Sequence, residues 1–185
     1  MADLDFKKEL IEKCKAGSNT AQYTLYNLYA KSMFNICHRM MKNTMDAEDM
    51  LQSSFIDVYR KLHQFSYQST PGAWIKRIVV NNCSTELKKR KLHLVPITER
   101  AEISNEPVLQ NYHYDVSQIK KALFKLPDGY RVVLSLYLIE GYDHQEIASI
   151  LDISPSTSKS QYSRARKKLK EILIADGIDT MSMIK

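Results

Sequence analysis

The sequence is poor in the residues that make tight turns, with five Gly and five Pro among 185 residues. This content excludes collagen-like and low-complexity chains, and it disfavours most all-β folds, which need a turn after every short strand. Three isolated cysteines, at positions 14, 37 and 83, form neither a disulfide framework nor a paired metal-binding motif. No apolar run approaches the length of a membrane span, and the charged start has no signal-peptide core. We therefore expect a cytoplasmic protein without membrane insertion.

The overall polarity is ordinary, 44% hydrophobic and 26% charged, but the charges are unevenly placed. Residues 1–91 carry 15 Lys and Arg against 9 Asp and Glu, a net charge of +6. Residues 116–185 carry 11 against 8, a net charge of +3, whereas the segment 92–115 between them has a net charge of −3. This pattern favours two modules that bind a polyanion, although two lysine-rich solvated surfaces would give the same pattern.

The spacing of apolar residues predicts an all-α fold of two small helical domains, since neither repeats nor alternating strand patterns occur. The predicted helices span 5–17, 18–42, 46–62, 70–91, 115–126, 130–139, 144–151 and 154–174. The first domain covers residues 1–91 and the second covers residues 114–185. Between them, residues 92–113 contain two Pro and no apolar stripe, which predicts a linker or, alternatively, a poorly amphipathic helix.

The segment 143–170 carries the most specific pattern. Asp143 and Glu146 form a capping box before a short helix, a tight turn follows, and Ser154 with Pro155 opens a longer helix. This order of elements is typical of a helix-turn-helix, whose second helix enters the major groove of duplex DNA. Between residues 155 and 170 there are six basic residues and no acidic one. The second domain is therefore predicted to bind DNA, with a charged surface helix as the alternative.

A helical wheel divides this longer helix into an inward face and an outward face. The inward face consists of Ser158, Tyr162, Ala165, Leu169 and Ile172. The outward face and its flanks hold the predicted DNA-binding residues Ser156, Thr157, Lys159, Ser160, Gln161, Arg164 and Lys167. Short hydroxyl side chains let the backbone approach DNA, Gln and Arg side chains read base edges, and Lys side chains neutralise phosphates.

The predicted helix 46–62 has a core stripe on one face and an unexpected isoleucine on the other. The core stripe consists of Ala47, Leu51, Phe55, Val58 and Leu62, and the opposite face holds Asp49, Gln52, Ser53, Ile56 and Arg60. An isoleucine on a polar face is often incidental, but it also marks surfaces that dock a partner. Asp46, Glu48 and Asp49 lie within one turn and lack a His or further carboxylate, which disfavours a nuclease-like metal site. No cofactor is predicted.

The segment 64–90 interleaves aromatic and basic residues. The loop 64–72 holds Phe65 and Tyr67, and the helix that follows holds Trp74. That helix adds Lys76, Arg77, Asn81, Asn82, Lys88, Lys89 and Arg90. Aromatic rings among cations are how proteins hold the unstacked bases of single-stranded nucleic acid, whereas a lone Trp on a helix is more commonly a core residue.

The order of these segments resembles the bacterial RNA polymerase sigma factors of the extracytoplasmic-function type. The segment DAEDMLQSSFIDVYRKL resembles their core-polymerase-binding segment. PGAWIKRIVVNN, followed by KKRK, resembles their promoter-melting and minus-ten-recognition segment. LPDGYRVVLSLYLIEGYDHQEIASILDISPSTSKSQYSRARKKL resembles their minus-thirty-five-recognition domain. The resemblance covers both predicted domains and omits only the linker and the tail.

The resemblance implies a sigma factor that binds core RNA polymerase and directs promoter-specific initiation, with no catalysis of its own. It implies that Asp49, Gln52 and Phe55 dock on or shape the contact with core polymerase. The predicted core-polymerase-binding set also includes Ser53 and Ile56, which lie on the same polar face of the predicted helix. It implies that Trp74, Asn81 and Asn82 lie in the strand-separating helix. With the aromatic and basic residues of the same segment, the predicted set for minus-ten recognition, melting and binding of the non-template strand is Phe65, Tyr67, Trp74, Lys76, Arg77, Asn81, Asn82, Lys88, Lys89 and Arg90. It places minus-thirty-five recognition on the outward residues of the 154–174 helix, and an anti-sigma protein is a further candidate partner.

Two other functions account for less of the sequence. A helix-turn-helix regulator that does not bind core polymerase would explain residues 143–170, but it leaves Trp74 and the 46–62 helix without a role. A helical DNA-processing enzyme would need a catalytic constellation, and the sequence shows none. The sequence also departs from the sigma pattern: Ser53 stands where an acid is usual, Thr85 replaces a common aspartate, Ser158 replaces an inward apolar residue, and Gln161 stands where Arg is frequent. Promoter preference is therefore not transferred.

Overall fold

The computed structural model describes residues 2–90 and 116–177, and the predicted linker at 92–113 lies outside the described residues. The regular structure of the described residues is helical throughout, which confirms the all-α prediction. The helices are α1 (Ala2–Lys15), α2 (Asn19–Met41), α3 (Thr44–Lys61), α4 (Pro71–Lys89), α5 (Val116–Lys125), α6 (Asp128–Leu138), α7 (His144–Leu151) and α8 (Pro155–Ala175), with a 3₁₀ turn at Leu62–Gln64. The chain divides into two compact units, Met1–Lys89 and Arg90–Lys185.

In the first unit, α2 packs against α1, α3 and α4, and α3 packs against α4. The core stripe predicted for α3 is buried as expected, from Ala47 to Leu62. Leu25 and Ile36 of α2 and Ile75 and Val79 of α4 are also among the buried residues of the unit. Burial of these side chains is the main stabilising contribution, roughly 1.5–3 kcal/mol for each large aliphatic residue.

The start of α4 shows why its sequence forms a helix at that point. Thr70 Oγ1 accepts a hydrogen bond from the Ala73 backbone N–H at 3.2 Å, so Thr70 caps the helix and Pro71 occupies its first position. Gly72 lies against α2, because a Cβ atom there would sit 3.0 Å from Cε1 of Tyr29. The glycine thus lets the first turn of α4 approach α2 closely.

Cys37 of α2 and Cys83 of α4 meet in the core with their Sγ atoms 3.8 Å apart, and all three cysteines of the chain are free and buried. The contact with Cys37, followed by burial, raises the pKa of the Cys83 thiol. A raised pKa keeps the thiol protonated and poorly nucleophilic. The cysteines therefore act as small apolar packing residues.

The second unit is built around the buried residues Leu123, Leu126, Leu134 and Ala165. Tyr130, Tyr162, Leu169 and Ile172 pack against this cluster, and α8 contacts α5, α6 and α7. The capping box predicted at the start of α7 is present: Asp143 Oδ1 accepts from the Glu146 N–H at 2.8 Å, and Glu146 Oε2 accepts from the Asp143 N–H at 2.9 Å. Within the described ranges, none of the helices is long and apolar enough to span a membrane.

Candidate protein-docking and nucleic-acid interfaces

Three residues of α3 with exposed side chains, Asp49, Gln52 and Ile56, form a surface that we call the docking face. Ile56 is 50% exposed although every residue of the core stripe on the other side of α3 is buried. Its exposure is therefore not a consequence of loose packing in the helix. An exposed branched apolar side chain between polar neighbours is suited to inserting into a pocket of another protein.

A shallow groove of about 400 Å³ lies beside the docking face, between α2 and α3. Its walls are Tyr26 and Phe34 of α2 and Glu48, Leu51 and Gln52 of α3. Phe55 is only 2% exposed and packs edge-on against Tyr26, with ring centroids 4.8 Å apart. Phe55 therefore shapes the groove from within the core and does not itself form part of the exposed surface.

The remaining residue predicted to bind core polymerase, Ser53, is half-buried and donates a hydrogen bond to the Met50 carbonyl at 3.2 Å. The acidic residues at the start of α3 form no metal centre: among residues 2–90 and 116–177, no three His, Cys, Asp or Glu side chains are grouped to hold an ion. The docking face thus presents a carboxylate, an amide and an isoleucine side chain to solvent.

The aromatic loop, defined as residues 64–72, is partly core. Phe65 is 3% exposed, and its ring lies 5.3 Å from that of Trp74 and 4.8 Å from that of Tyr67. The prediction that Phe65 presents a ring to single-stranded bases therefore needs correction, because the ring closes the core where the 3₁₀ turn ends. Trp74 is half-buried, and Tyr67 is 38% exposed.

Tyr67 has a left-handed backbone, with φ of +62°. For a bulky non-glycine residue this conformation costs roughly 1–3 kcal/mol. Its hydroxyl donates to the Glu12 carboxylate, and Lys15 Nζ lies 4.9 Å from the ring centroid. Partial burial and this hydrogen bond raise the pKa of Tyr67 to about 12. Nothing in the sequence pattern indicated these α1 partners, which are more than 50 residues away.

Two adjacent asparagines of α4, which the sequence pattern did not distinguish, lie in different surroundings. Asn81 is exposed, whereas Asn82 is half-buried and its Nδ2 donates to Asp57 Oδ2 at 3.0 Å and to Ser54 Oγ at 3.3 Å. Asn82 thus ties α4 to the buried side of α3, and Asn81 is available to a ligand. Of the predicted cations, Arg77, Lys88, Lys89 and Arg90 are exposed and Lys76 is half-buried.

The hydroxyl groups at the start of α8 are engaged with one another. Ser154 caps the helix by accepting from the Thr157 N–H at 3.0 Å. The hydroxyls of Ser156 and Thr157 each lie 2.8 Å from Ser154 Oγ, and Ser160 donates to the Thr157 carbonyl at 3.0 Å. These short side chains stabilise the first turns of α8 and protrude little from the helix surface. The long side chains of Lys159 and Lys167 are exposed, and that of Arg164 is half-buried.

The predicted position of Gln161 on the polar flank of α8 is wrong. Gln161 is 3% exposed, and its Oε1 atom has no hydrogen-bond partner among the described residues. The reason is the packing of α8 against its neighbours: residue 161 lies three residues after Ser158 and four before Ala165, both of which are fully buried, so it borders the inward row and is covered together with it. Gln161 therefore continues the inward row, and a base contact by this residue is not carried forward.

A polar contact joins the two helices of the helix-turn-helix. His144 Nδ1 of α7 lies 2.9 Å from Oγ of the buried Ser158 of α8. The imidazole stacks on Tyr137 of α6 at 4.5 Å and meets Tyr162 edge-on at 5.6 Å. Burial, followed by the charge of Lys159, lowers the pKa of His144. The serine in the inward stripe was the only sequence signal of this contact, and His144 itself was not singled out.

Comparison with protein families agrees with the order of these surfaces. The family model described as Sigma-70 region 2 matches residues 25–93, which include α3, the aromatic loop and α4. The model described as Sigma-70, region 4 matches residues 117–169, which include the helix-turn-helix.

Relatives and solved structures extend the likeness to most of the chain. The ECF RNA polymerase sigma factor SigW of Bacillus subtilis is 28% identical over 182 residues, covering 90% of this chain and 96% of that protein. The ECF sigma factor SigM of Mycobacterium tuberculosis is 26% identical over 173 residues, covering 89% and 83%.

Two solved structures share the fold. The sigma factor RpoE, in complex with the anti-sigma factor NepR from Bartonella quintana, has a TM-score of 0.55 at 24% identity and covers 83% of this chain and 97% of its own. CnrH, in complex with the cytosolic domain of CnrY, has a TM-score of 0.54 at 21% identity and covers 92% and 98%. Because both family models match in order and the relatives align along nearly the whole length, the chain belongs to the sigma-70 family, within its extracytoplasmic-function group.

Proposed function

We propose that this protein binds core RNA polymerase and directs it to promoters, contributing recognition and strand opening but no catalysis of its own. The observation that carries the proposal is that one chain holds an exposed docking face on α3, matched to sigma-70 region 2, and a basic helix-turn-helix, matched to region 4. A promoter-recognition subunit needs both, since it must hold the polymerase and the DNA simultaneously. We place this activity in the cytoplasm.

Core polymerase is proposed to bind the docking face. Asp49 and Gln52 supply polar contacts at the rim, and the half-exposed Ile56 supplies the apolar anchor. Interfaces of this kind concentrate their affinity in a few central residues, surrounded by polar contacts that contribute less. Phe55 supports the face from the core, so its truncation is expected to act through packing and not through a lost contact.

The melted non-template strand is proposed to bind where the aromatic loop meets the outer side of α4. Half-buried Trp74, exposed Asn81 and exposed Arg77 lie on that helix, and the exposed cations Lys88 to Arg90 follow at its end. Extruding a base costs a few kcal/mol, and stacking on an aromatic ring returns roughly 1–3 kcal/mol. Hydrogen bonds from Asn81 and phosphate contacts by the cations are proposed to contribute the remainder.

Duplex DNA at the minus-thirty-five element is proposed to bind α8. The low hydroxyl side chains of Ser156, Thr157 and Ser160 allow close approach, Arg164 reads base edges, and Lys159 and Lys167 contact phosphates. An anti-sigma protein is proposed as a further partner that binds the chain when it is not engaged with polymerase; the solved structure of RpoE with NepR is of that kind.

The decisive experiment adds the purified full-length protein to bacterial core RNA polymerase that has been freed of its own sigma factor. Genomic fragments are transcribed in vitro, and the start sites are mapped. The expected result is initiation at a small set of defined sites that share two upstream motifs, with none from core enzyme alone. A helix-turn-helix regulator that does not bind polymerase would instead retain DNA fragments without supporting initiation or co-eluting with core enzyme, and this outcome would overturn the proposal.

A further inference from the structure

Helix α1 ends at Lys15, whereas the match to sigma-70 region 2 begins at residue 25. The match to sigma-70 region 2 therefore assigns no role to α1. One side of α1 nevertheless reaches the aromatic loop through Lys8, Glu12 and Lys15, which are spaced four and three residues apart and so lie on one face of the helix. Their common target is Tyr67.

Three groups of α1 surround the Tyr67 side chain. The Glu12 carboxylate accepts a hydrogen bond from the Tyr67 hydroxyl. Lys15 Nζ, 4.9 Å from the ring centroid, also donates to Glu12 Oε1 at 3.0 Å and to the Phe65 carbonyl at 3.3 Å. Lys8 Nζ lies 5.9 Å from the same ring. One cluster therefore fixes both the backbone at the start of the loop and the side chain two residues later.

These contacts hold the loop in a conformation that the local sequence does not favour. Tyr67 has φ of +62°, a region that bulky L-residues seldom adopt. Strained backbone persists only where surrounding structure imposes it, and it is found preferentially at ligand clamps and active sites. Here the imposing structure is α1. The strained backbone at Tyr67 therefore suggests that this shape of the aromatic loop is suited to binding a ligand.

We propose that Glu12 and Lys15 are positioning residues for promoter opening, which hold the aromatic loop in the shape that accepts an unstacked base of the melted strand. This inference rests on the proposed function and assigns α1 a part in it. A loop that is already ordered loses less conformational entropy when a base enters, so pre-organisation strengthens capture of the melted strand without adding a contact. The 38% of the Tyr67 side chain that stays exposed belongs to the loop surface that the base meets.

The attachment of α1 itself does not depend on this cluster. Leu10, Ile11 and Cys14 are buried, at 6%, 0% and 4% exposure, and they anchor α1 to the first unit. Removing the hydrogen bond between Glu12 and Tyr67 should therefore leave α1 in place and free only the loop. This separation makes the inference testable by conservative substitutions.

The experiment uses the full-length protein with core polymerase on a promoter that the wild type opens, and it measures permanganate reactivity of thymines near the start site. Tyr67→Phe and Glu12→Ala should each lower open-complex formation about three- to tenfold, as expected for losing one hydrogen bond. The double variant should open the promoter as well as Glu12→Ala alone does, because Tyr67→Phe removes only a hydrogen bond that Glu12→Ala has already removed. Co-elution with core polymerase and closed-complex affinity should stay unchanged.

Two further variants separate positioning from general stability. Glu12→Gln keeps an oxygen that accepts from the Tyr67 hydroxyl and should recover most of the opening. Glu9→Ala is the matched control, because Glu9 lies on the same helix and pairs at 2.6 Å with Lys13, away from the loop. On a template with a pre-melted bubble, initiation by Tyr67→Phe should largely recover because the unstacking cost has already been met, whereas retention of the melted strand should stay below that of the wild type.

The inference is overturned if Tyr67→Phe and Glu12→Ala open the promoter as wild type does, or if Glu9→Ala is equally impaired. If the wild-type protein with core polymerase opens no promoter, the proposed function is wrong, and this inference, which rests on it, is wrong as well. The two failures are thus distinguished by the behaviour of the wild type alone.

Discussion

Gln161 and Arg164 lie three residues apart on α8 but in different surroundings, and they should respond differently to substitution. Arg164→Ala is expected to relax base preference at particular upstream positions, at a cost of about 1–3 kcal/mol for the preferred sequence. Gln161→Leu should leave the ranking of promoter variants unchanged and should preserve or raise stability, because it removes a buried acceptor that has no hydrogen-bond partner in the described part of the chain. Competition binding over a set of promoter variants measures both effects. A changed ranking for Gln161→Leu would show that the side chain leaves the core to read DNA.

The partial burial of His144, together with the charge of Lys159, predicts that the stability of the second unit depends on pH. The folded state disfavours the charged imidazole, so the pKa of His144 lies below its ordinary value of 6.5. The resulting stabilisation is complete above the unfolded-state pKa and is lost as the pH falls through the lowered folded-state pKa. Urea unfolding followed by the NMR signals of Tyr137 and Tyr162, between pH 7.5 and 5, should show the midpoint falling.

His144→Phe is the informative comparison for this prediction. It keeps the ring contacts with Tyr137 and Tyr162 but leaves the buried Ser158 hydroxyl without its partner, so it should be less stable at pH 7.5 by roughly 1–3 kcal/mol. Its midpoint should fall less steeply with acidification, and adding Ser158→Ala should restore part of the lost stability. Equal pH dependence in wild type and His144→Phe would assign the effect to other groups.

At the scale of one element, α3 divides into a buried face and the docking face, and the proposed function places polymerase binding on the second. Changing Asp49 and Ile56 together to Lys should lower affinity for core polymerase at least about 30-fold, since about 2 kcal/mol is typical of a central interface residue. Helicity should be unchanged, because both side chains are exposed in the free protein. Co-elution and fluorescence titration with core enzyme measure the loss.

The matched control for the α3 variant changes Glu9 and Ile174 together to Lys. It alters charge by the same amount and replaces an isoleucine of similar exposure, 52% for Ile174 against 50% for Ile56. It should bind core polymerase like the wild type. If both double variants lose affinity equally, net charge and not the docking face governs binding.

At the scale of the whole molecule, substitutions in the two units are expected to impair different steps of initiation. Asn81→Ala should form closed complexes normally and open complexes poorly, and a pre-melted template should restore its activity, because the unstacking cost has already been met. Arg164→Ala should bind duplex promoter weakly, and a pre-melted template should not restore upstream binding. Filter binding and permanganate reactivity, measured on both templates, separate the two steps. If the pre-melted template restored both variants, the assignment of strand opening to the first unit and duplex binding to the second would be contradicted.

Most of the architecture follows from local features of the sequence. Helix ends are set by residues such as Thr70 and Asp143, whose side chains bond to the backbone a few positions away, and the inward stripes follow the 3.6-residue period. The order of the segments was sufficient to indicate the sigma-70 family. The predicted interface residues remain predictions. Asp49, Gln52 and Ile56 on α3 and Ser156, Lys159 and Lys167 on α8 are exposed, in agreement with the sequence pattern, whereas Thr157, Ser160 and Arg164 are half-buried.

What the sequence by itself did not determine depends on contacts between distant residues. A period argument left Gln161 at the flank of the inward row, and only the packing of α8 against its neighbours buries it. Phe65 and Tyr67 are equivalent as loop aromatics in the sequence, yet Phe65 is buried in the core and Tyr67 is hydrogen-bonded to Glu12 of α1. Asn81 and Asn82 are adjacent, but one faces solvent and the other bonds to α3. Helical periodicity fixes which residues share a face; only tertiary packing decides which borderline positions are covered and which distant side chains meet.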